Sequence, residues 1–165
     1  MVAAVLVLLA WRSLSPPPAA THPRRGTPLL GMAPDELRSI EVIRDDGSLR
    51  FSRQGTQWVA EDAAGGARMP DDRIDPFLAT LAGLDRLVEI GGEAPDLRDF
   101  GLDPPRGTVV LRDGVETRIQ VGERNPALTG VYVRLPPDPR VFLVGAVLDW
   151  ELKKLAAPAP AQTKE

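Results

Sequence analysis

The stretch Pro95-Asp96-Leu97-Arg98-Asp99-Phe100-Gly101-Leu102-Asp103-Pro104-Pro105 constrains this chain more than any other, because its prolines and glycine leave the backbone few paths. A helical turn can begin at Pro95, where a missing N–H removes nothing, with Asp96 set against the positive end of the turn's dipole. Gly101 ends the turn, since glycine accepts the left-handed conformation that closes the last carbonyls, and Leu102 then meets Leu97 in a Schellman pairing. Pro104 and Pro105 forbid a restart. The reading is a rigid hinge over residues 95–105 joining two stretches that look alike. Nothing in it is a nucleophile, a phosphate cradle or a metal cage.

The stretch before the hinge starts near Ala33, where Asp35 and Glu36 suggest a turn. Residues 40–44 read as a strand, Asp45-Asp46-Gly47-Ser48 as a hairpin turn, and residues 49–53 as the partner strand. There Leu49 and Phe51 alternate with Arg50 and Ser52, the period of a half-buried strand. A third strand carries Trp58, read as core rather than a ligand platform. Residues 63–66 make a loose turn and Arg68-Met69 a short extended piece. Asp71 and Asp72 are placed to cap a helix whose Ile74, Phe77, Leu78, Leu81 and Leu84 fall at helical spacing, with Pro76 in its first turn. Residues 87–90 are a further strand.

After the hinge the pattern recurs. Residues 108–112, Asp113-Gly114 and residues 117–121 form a second hairpin, and residues 131–135 a third strand with Val131 and Val133 on one face. Residues 141–144, apolar on both faces, read as a covered central strand. A last helix over residues 146–155 stacks Leu148, Leu152 and Leu155, with Lys153 and Lys154 at its negative end. Arg44-Asp45-Asp46-Gly47 answers Arg112-Asp113-Gly114, and Trp58 answers Tyr132, as in a degenerate duplication. The expected fold is α+β: an antiparallel sheet of two similar β-hairpin-rich halves, about 38–90 and 106–155, each ending in a helix packed on the sheet.

The ends of the chain read differently. Residues 1–12 open with the apolar run Met1 to Trp11, which spans only ~16 Å as a helix, about half of a ~30 Å hydrocarbon core. Three readings stand: a membrane anchor beginning upstream of Met1, a secretory apolar region, or a buried core helix. The anchor leads, because the run is apolar all round and Trp11-Arg12 suits an interface. Arg12, Arg24 and Arg25 follow the run and leave its orientation open. Residues 13–32 are a Pro-rich linker, residues 33–155 the folded domain, and residues 156–165 a disordered tail.

The sequence offers little reactive chemistry. Among 165 residues with a formal charge of −3 there is no basic field for nucleic acid. Cysteine is absent, which excludes disulfides, thiolate catalysis and Cys-zinc sites. His22, the single histidine, sits in the linker and reads as solvated. Asp71, Asp72 and Asp75 have the type of hard-cation ligands but the place of helix caps. Asp45, Asp46 and Asp113 have the type of catalytic carboxylates but the Asp-Gly context of turns. Arg112, Arg118 and Arg134 form either an anion- or partner-facing patch or a solvated sheet face, and the second reading is preferred. No catalytic, cofactor-binding or metal-binding residue is therefore expected, and no cofactor.

The Trp58 strand, the Pro70-Asp71-Asp72 helix start, Phe100-Gly101-Leu102-Asp103-Pro104-Pro105, Val121-Gly122, Gly130-Val131-Tyr132-Val133-Arg134 and Val141-Phe142-Leu143-Val144 together resemble a bacterial domain-of-unknown-function family, DUF4340, from about residue 40 to residue 155. The resemblance implies a single-span inner-membrane envelope protein with its domain on the extracytoplasmic side, associated with an ABC-type transport system resembling gliding-motility auxiliary components. It carries over no catalytic residue. The leading expectation is a membrane-tethered, non-enzymatic interaction module with a protein partner in a transporter or envelope complex. The alternatives are a carboxylate-dependent hydrolase of envelope polymers, which needs two acids roughly 5 to 9.5 Å apart, and a sugar- or peptide-binding domain using Tyr132 and the arginines.

Overall fold

Alternating apolar residues between charged turns produce mainly antiparallel strands, and the two leucine-rich stretches produce two helices, giving an α+β fold. The computed structural model describes residues 26–31, 33–61, 69–70, 72–90 and 95–156. In chain order these hold β1 (Thr27–Pro28), a 3-10 turn (Pro34–Glu36), β2 (Ser39–Arg44), β3 (Gly47–Gln54), β4 (Gln57–Glu61), β5 (Met69–Pro70) and α1 (Ile74–Gly83). Then come β6 (Asp85–Arg86), β7 (Val88–Ile90), a second 3-10 turn (Leu97–Phe100), β8 (Gly107–Arg112), β9 (Glu116–Arg124), β10 (Gly130–Arg134), β11 (Val141–Gly145) and α2 (Val147–Ala156).

One nine-stranded sheet runs β5-β4-β3-β2-β8-β9-β10-β11-β7, and β1 pairs with β6 in a separate ribbon. At its centre β2 lies antiparallel to β8, with Val42 opposite Val109 and Ile40 opposite Leu111. From that pair successive strands step outward in both directions. One sheet face carries Ile40, Phe51, Trp58, Val109, Ile119, Val133 and Phe142 against Phe77 and Leu81 of α1 and Leu148 and Leu152 of α2. Phe51, Phe77 and Phe142 are fully buried, and each such side chain contributes about 1.5–3 kcal/mol relative to exposure.

The helices are tied end to end by a residue the sequence did not single out. Arg73 precedes α1, and its Nη1 donates to the carbonyls of Lys154 and Leu155, each at 3.4 Å, at the electronegative end of α2. The expected aspartate cap on α1 is not formed by Asp72, because Arg73 occupies the cap position in a helical conformation with no side-chain cap bond. Pro76 does fall in the first turn.

Four expectations need correction. Folded structure begins earlier than residue 33: Thr27 pairs with Arg86, Leu29 N–H donates to the Leu84 carbonyl at 2.8 Å, and Leu29 and Leu30 enter the core. The later part of the expected linker is thus held by burial of two leucines. Strand β7, assigned by sequence to the first half, crosses to the far edge and pairs with β11, Leu143 opposite Val88. Strand β11 is therefore next to the edge, not central, although β10 and β7 flank it and Val141, Phe142 and Val144 are fully buried. The turn in the connector begins at Leu97, two residues after Pro95, with Asp96 as its cap. The expected anchor, His22, the turn at 63–66, Asp71 and the tail from residue 157 lie outside the described residues.

Candidate functional site

The most structured surface feature is the connector itself. Asp96 accepts a hydrogen bond from Arg98 N–H at 3.1 Å, opening the turn, and Gly101 closes it at φ 63° and ψ 32°. Leu102 N–H donates to the Leu97 carbonyl at 2.9 Å and Gly101 N–H to the Arg98 carbonyl at 3.0 Å, the bond pair of a Schellman close. Leu102 is buried, and Phe100 meets Tyr132 of β10 edge-on, ring centroids 4.9 Å apart. The connector does not swing between halves; it is clamped onto the sheet. Two glycines make that possible: a Cβ on Gly101 would collide with the Glu123 side chain and lie 3.0 Å from the Glu123 nitrogen, and one on Gly122 would overlap the Phe100 carbonyl.

Beside the connector, at the same end of the sheet, lies a cleft of about 260 Å³ between the end of β2, the start of β8 and α2. Val42, Val109, Val121 and Leu152 give it apolar walls, and Arg44, Asp46, Arg106, Asp149 and Lys153 surround them. Asp149, only 7% exposed, accepts from Arg124 Nε at 2.8 Å and is paired with Lys153 at 2.9 Å. Burial pushes its pKa up, but the hydrogen bonds from Lys153 and Arg124 outweigh burial and hold it below the ordinary value. Asp46 is taken up by Arg44 within one hairpin turn. Arg106 and Asp45 make no ion pair among the described residues, so the cleft offers one guanidinium and one carboxylate to a polar group at its mouth.

The remaining predicted residues do not converge. Asp45 and Asp46 follow β2 at the end where Arg44 pairs with Gly107, whereas Asp113 follows β8 at the opposite end, beyond the Ser39–Arg112 pair. At ~3.3 Å per residue that is on the order of 17 Å, too far for a two-carboxylate hydrolytic site. Asp113 instead accepts from Val115 N–H at 2.9 Å within its turn. No cluster of metal-ligating side chains occurs among the described residues. Tyr132, part-buried, packs edge-on against Phe100.

Arg112 and Arg118 lie on the sheet with their side chains part-exposed and knitted across strands. Glu41 of β2 accepts from Arg50 at 3.0 Å and from Arg112 at 3.2 Å, and Glu116 accepts from Arg112 at 3.0 Å and Arg118 at 2.7 Å. Arg134 donates to the Asp138 carbonyl at 3.1 Å. Burial raises Glu41, but Arg50 and Arg112 outweigh it and leave its pKa lowered. Carboxylates with lowered folded-state pKa values stabilise the fold above their unfolded values and lose that contribution as pH falls through the folded ones. The thermal midpoint should therefore hold from neutral pH down to the ordinary values of 4.5 for Glu41 and 3.8 for Asp149, then decline on further acidification. Midpoints taken by circular dichroism from pH 7 to pH 2 check this, and a midpoint rising below pH 4 would contradict it. Glu41→Gln should flatten part of the decline.

A family model described as Domain of unknown function (DUF4340) matches residues 62–158, more than half of the chain. The chain belongs to the DUF4340 family. The match takes in the connector, both helices and β5 to β11, while β1 to β4 precede it. No curated protein and no solved structure matches the chain.

Sequence reading missed Asp149, Gly122 and Asn125. Asp149 looked like an ordinary acid in the first turn of a helix; only the arrival of Arg124 from β9 distinguishes it. Gly122 carried a usable signal, since a glycine within a strand often marks close approach of another backbone.

Proposed function

We propose that this DUF4340 chain is a membrane-tethered, non-enzymatic interaction module that serves as an accessory of an ABC-type transporter or envelope complex. The observation that carries the reading is the fate of the acids. Glu41, Asp46, Glu116, Asp138 and Asp149 are each held by arginine or lysine, and Asp96 and Asp113 serve turns, which suits a scaffold that presents surfaces. The apolar run Met1 to Trp11 and the proline-rich stretch after it supply the tether in this reading, with the domain outside the inner membrane. No helix among the described residues is long and apolar enough to cross a membrane, so the tether rests on that run alone. We also infer two related halves, supported by the outward stepping of strands from the β2–β8 pair.

Full-length chain expressed in a bacterial host should float with the inner-membrane fraction and, after solubilisation, co-purify with a membrane protein. Recovery of the full chain only as a free soluble monomer would count decisively against the tether.

A further inference from the structure

The loop between β9 and β10 holds a leucine in a conformation leucines avoid. Leu128 has φ 59°, in the left-handed region, and is 64% exposed. Such a backbone is unfavourable for a branched side chain and persists only where surroundings enforce it. Asn125 does the enforcing: its Oδ1 accepts from the N–H groups of Thr129 and Gly130, both at 2.9 Å, its Nδ2 donates to Thr129 Oγ1 at 3.1 Å, and its carbonyl accepts from Leu128 N–H at 2.8 Å. A leucine held in strain and left in water gains nothing for the fold.

Its neighbours match it. Thr129 accepts from Ala146 N–H at 3.2 Å, which brings the loop to the start of α2, where Val147 is 44% and Trp150 56% exposed. These two are three apart on the helix and share a face, continued by Lys154, whose Nζ lies 4.0 Å from the Trp150 ring centre. Tryptophan flanked by aliphatic residues and lysine is the composition of a side-on contact with a membrane interface.

The course of the chain selects lipid as the occupant. Residue 26 comes in against Asp85, and β1 pairs with β6, which packs on β11. The exposed Leu87 and Val88 follow directly and pair near Leu143, close to the end of β11 that leads through Gly145 into Val147. The described chain thus begins, at residue 26, near the end of the sheet that displays Leu128, Val147 and Trp150.

The geometry points to a second, peripheral membrane contact: Leu128, Val147 and Trp150 seat the domain on the lipid interface beside its tether, fixing its orientation rather than leaving it free on the linker. This rests on the tethered reading above. Lys153 and Lys154 are engaged by Asp149 and Glu151, so apolar insertion, not attraction to anionic headgroups, carries the contact.

The test uses the full chain carrying Trp11→Phe, mixed with phosphatidylcholine–phosphatidylglycerol vesicles whose acyl chains are brominated near the headgroup. Trp58 is buried and Trp150 is then the accessible reporter. The expected result is flotation with the vesicles together with about a twofold loss of Trp150 emission, as for an interfacial side chain. Leu128→Gly removes the strain, so its thermal midpoint should stay level or rise while quenching falls; a purely structural loop would leave quenching unchanged. Flotation without quenching overturns the contact and leaves the tether standing. Quenching without flotation supports the contact and removes the tether. Neither signal overturns both. A lipid-free dimer abolished by Trp150→Ala would assign the patch to a second copy instead and overturn the proposal.

Discussion

Gly122→Val should lower the thermal unfolding midpoint by roughly 10 °C or more, the consequence of about 3 kcal/mol of overpacking in a domain of this size. The new Cβ would overlap the Phe100 carbonyl and come within 3.0 Å of Leu102 Cγ and 3.2 Å of the Gly101 carbonyl carbon. All three belong to the connector, and two are backbone atoms that cannot rotate away. The connector must lift from β9, exposing Leu102 and separating Phe100 from Tyr132. Gly101→Val acts on the same contact from the other side, adding a β-branched residue at φ 63°, at a cost of about 1–2 kcal/mol. Because the two changes break one interface, the double variant should lose less than the sum of the singles. Gly83→Ala is the control: nothing lies within 4 Å of its Cβ, so it should be neutral or stabilising. Differential scanning fluorimetry on the four proteins decides, and an unchanged midpoint for Gly122→Val would remove the clamp.

Phe142→Ala should cost about 3–5 kcal/mol, the usual loss for a fully buried phenylalanine. The ring is completely buried and faces two guanidiniums, Arg86 at 4.5 Å and Arg140 at 5.3 Å from its centre. Arg86 Nε is buried without a hydrogen-bond partner, so the ring face is its principal compensation there. Removing the ring strips that compensation from β6 and opens the seam that holds β6 and β7 to β11. Phe142→Leu keeps most of the volume but lacks the ring, so the loss that remains in it reports the ring–guanidinium contribution, and the further loss in Phe142→Ala reports volume. Urea titration gives the global loss, and hydrogen exchange should show β7 amides opening first. A Phe142→Leu midpoint equal to that of the parent would mean that volume alone matters and would remove the ring–guanidinium contribution.

Local chemistry made much of this fold legible in advance. The Asp-Asp-Gly and Asp-Gly turns marked both hairpins, the alternation around Phe51 and Ile119 marked the core face, and Gly101 with Leu102 marked the connector's close. What stayed hidden depends on partners distant in sequence. Strand β1 is two residues long and has no period to read; it exists because β6 meets it and Leu29 and Leu30 find the core. The crossing of β7 to β11 is a choice among apolar partners that alternation does not rank. At the surface, exposure of Trp150 was unreadable because a tryptophan in an amphipathic helix suggests burial, and Leu128 sat in a stretch without period. The turn context of Asp113 and Asp46 was legible too, and both are held locally by hydrogen bonds.

The central pairing of β2 with β8 also sets when this protein can fold. Residue 42 must wait for residue 109, so as the chain is made the hairpins of β2 to β4 form first with the inner edge of β2 unsatisfied. Loop closure over such a separation is slow, and an open strand edge bearing isoleucine and valine invites pairing with another chain. Nascent chains of this protein should therefore depend on a holding chaperone, or on low local concentration, until β8 arrives to fill the gap.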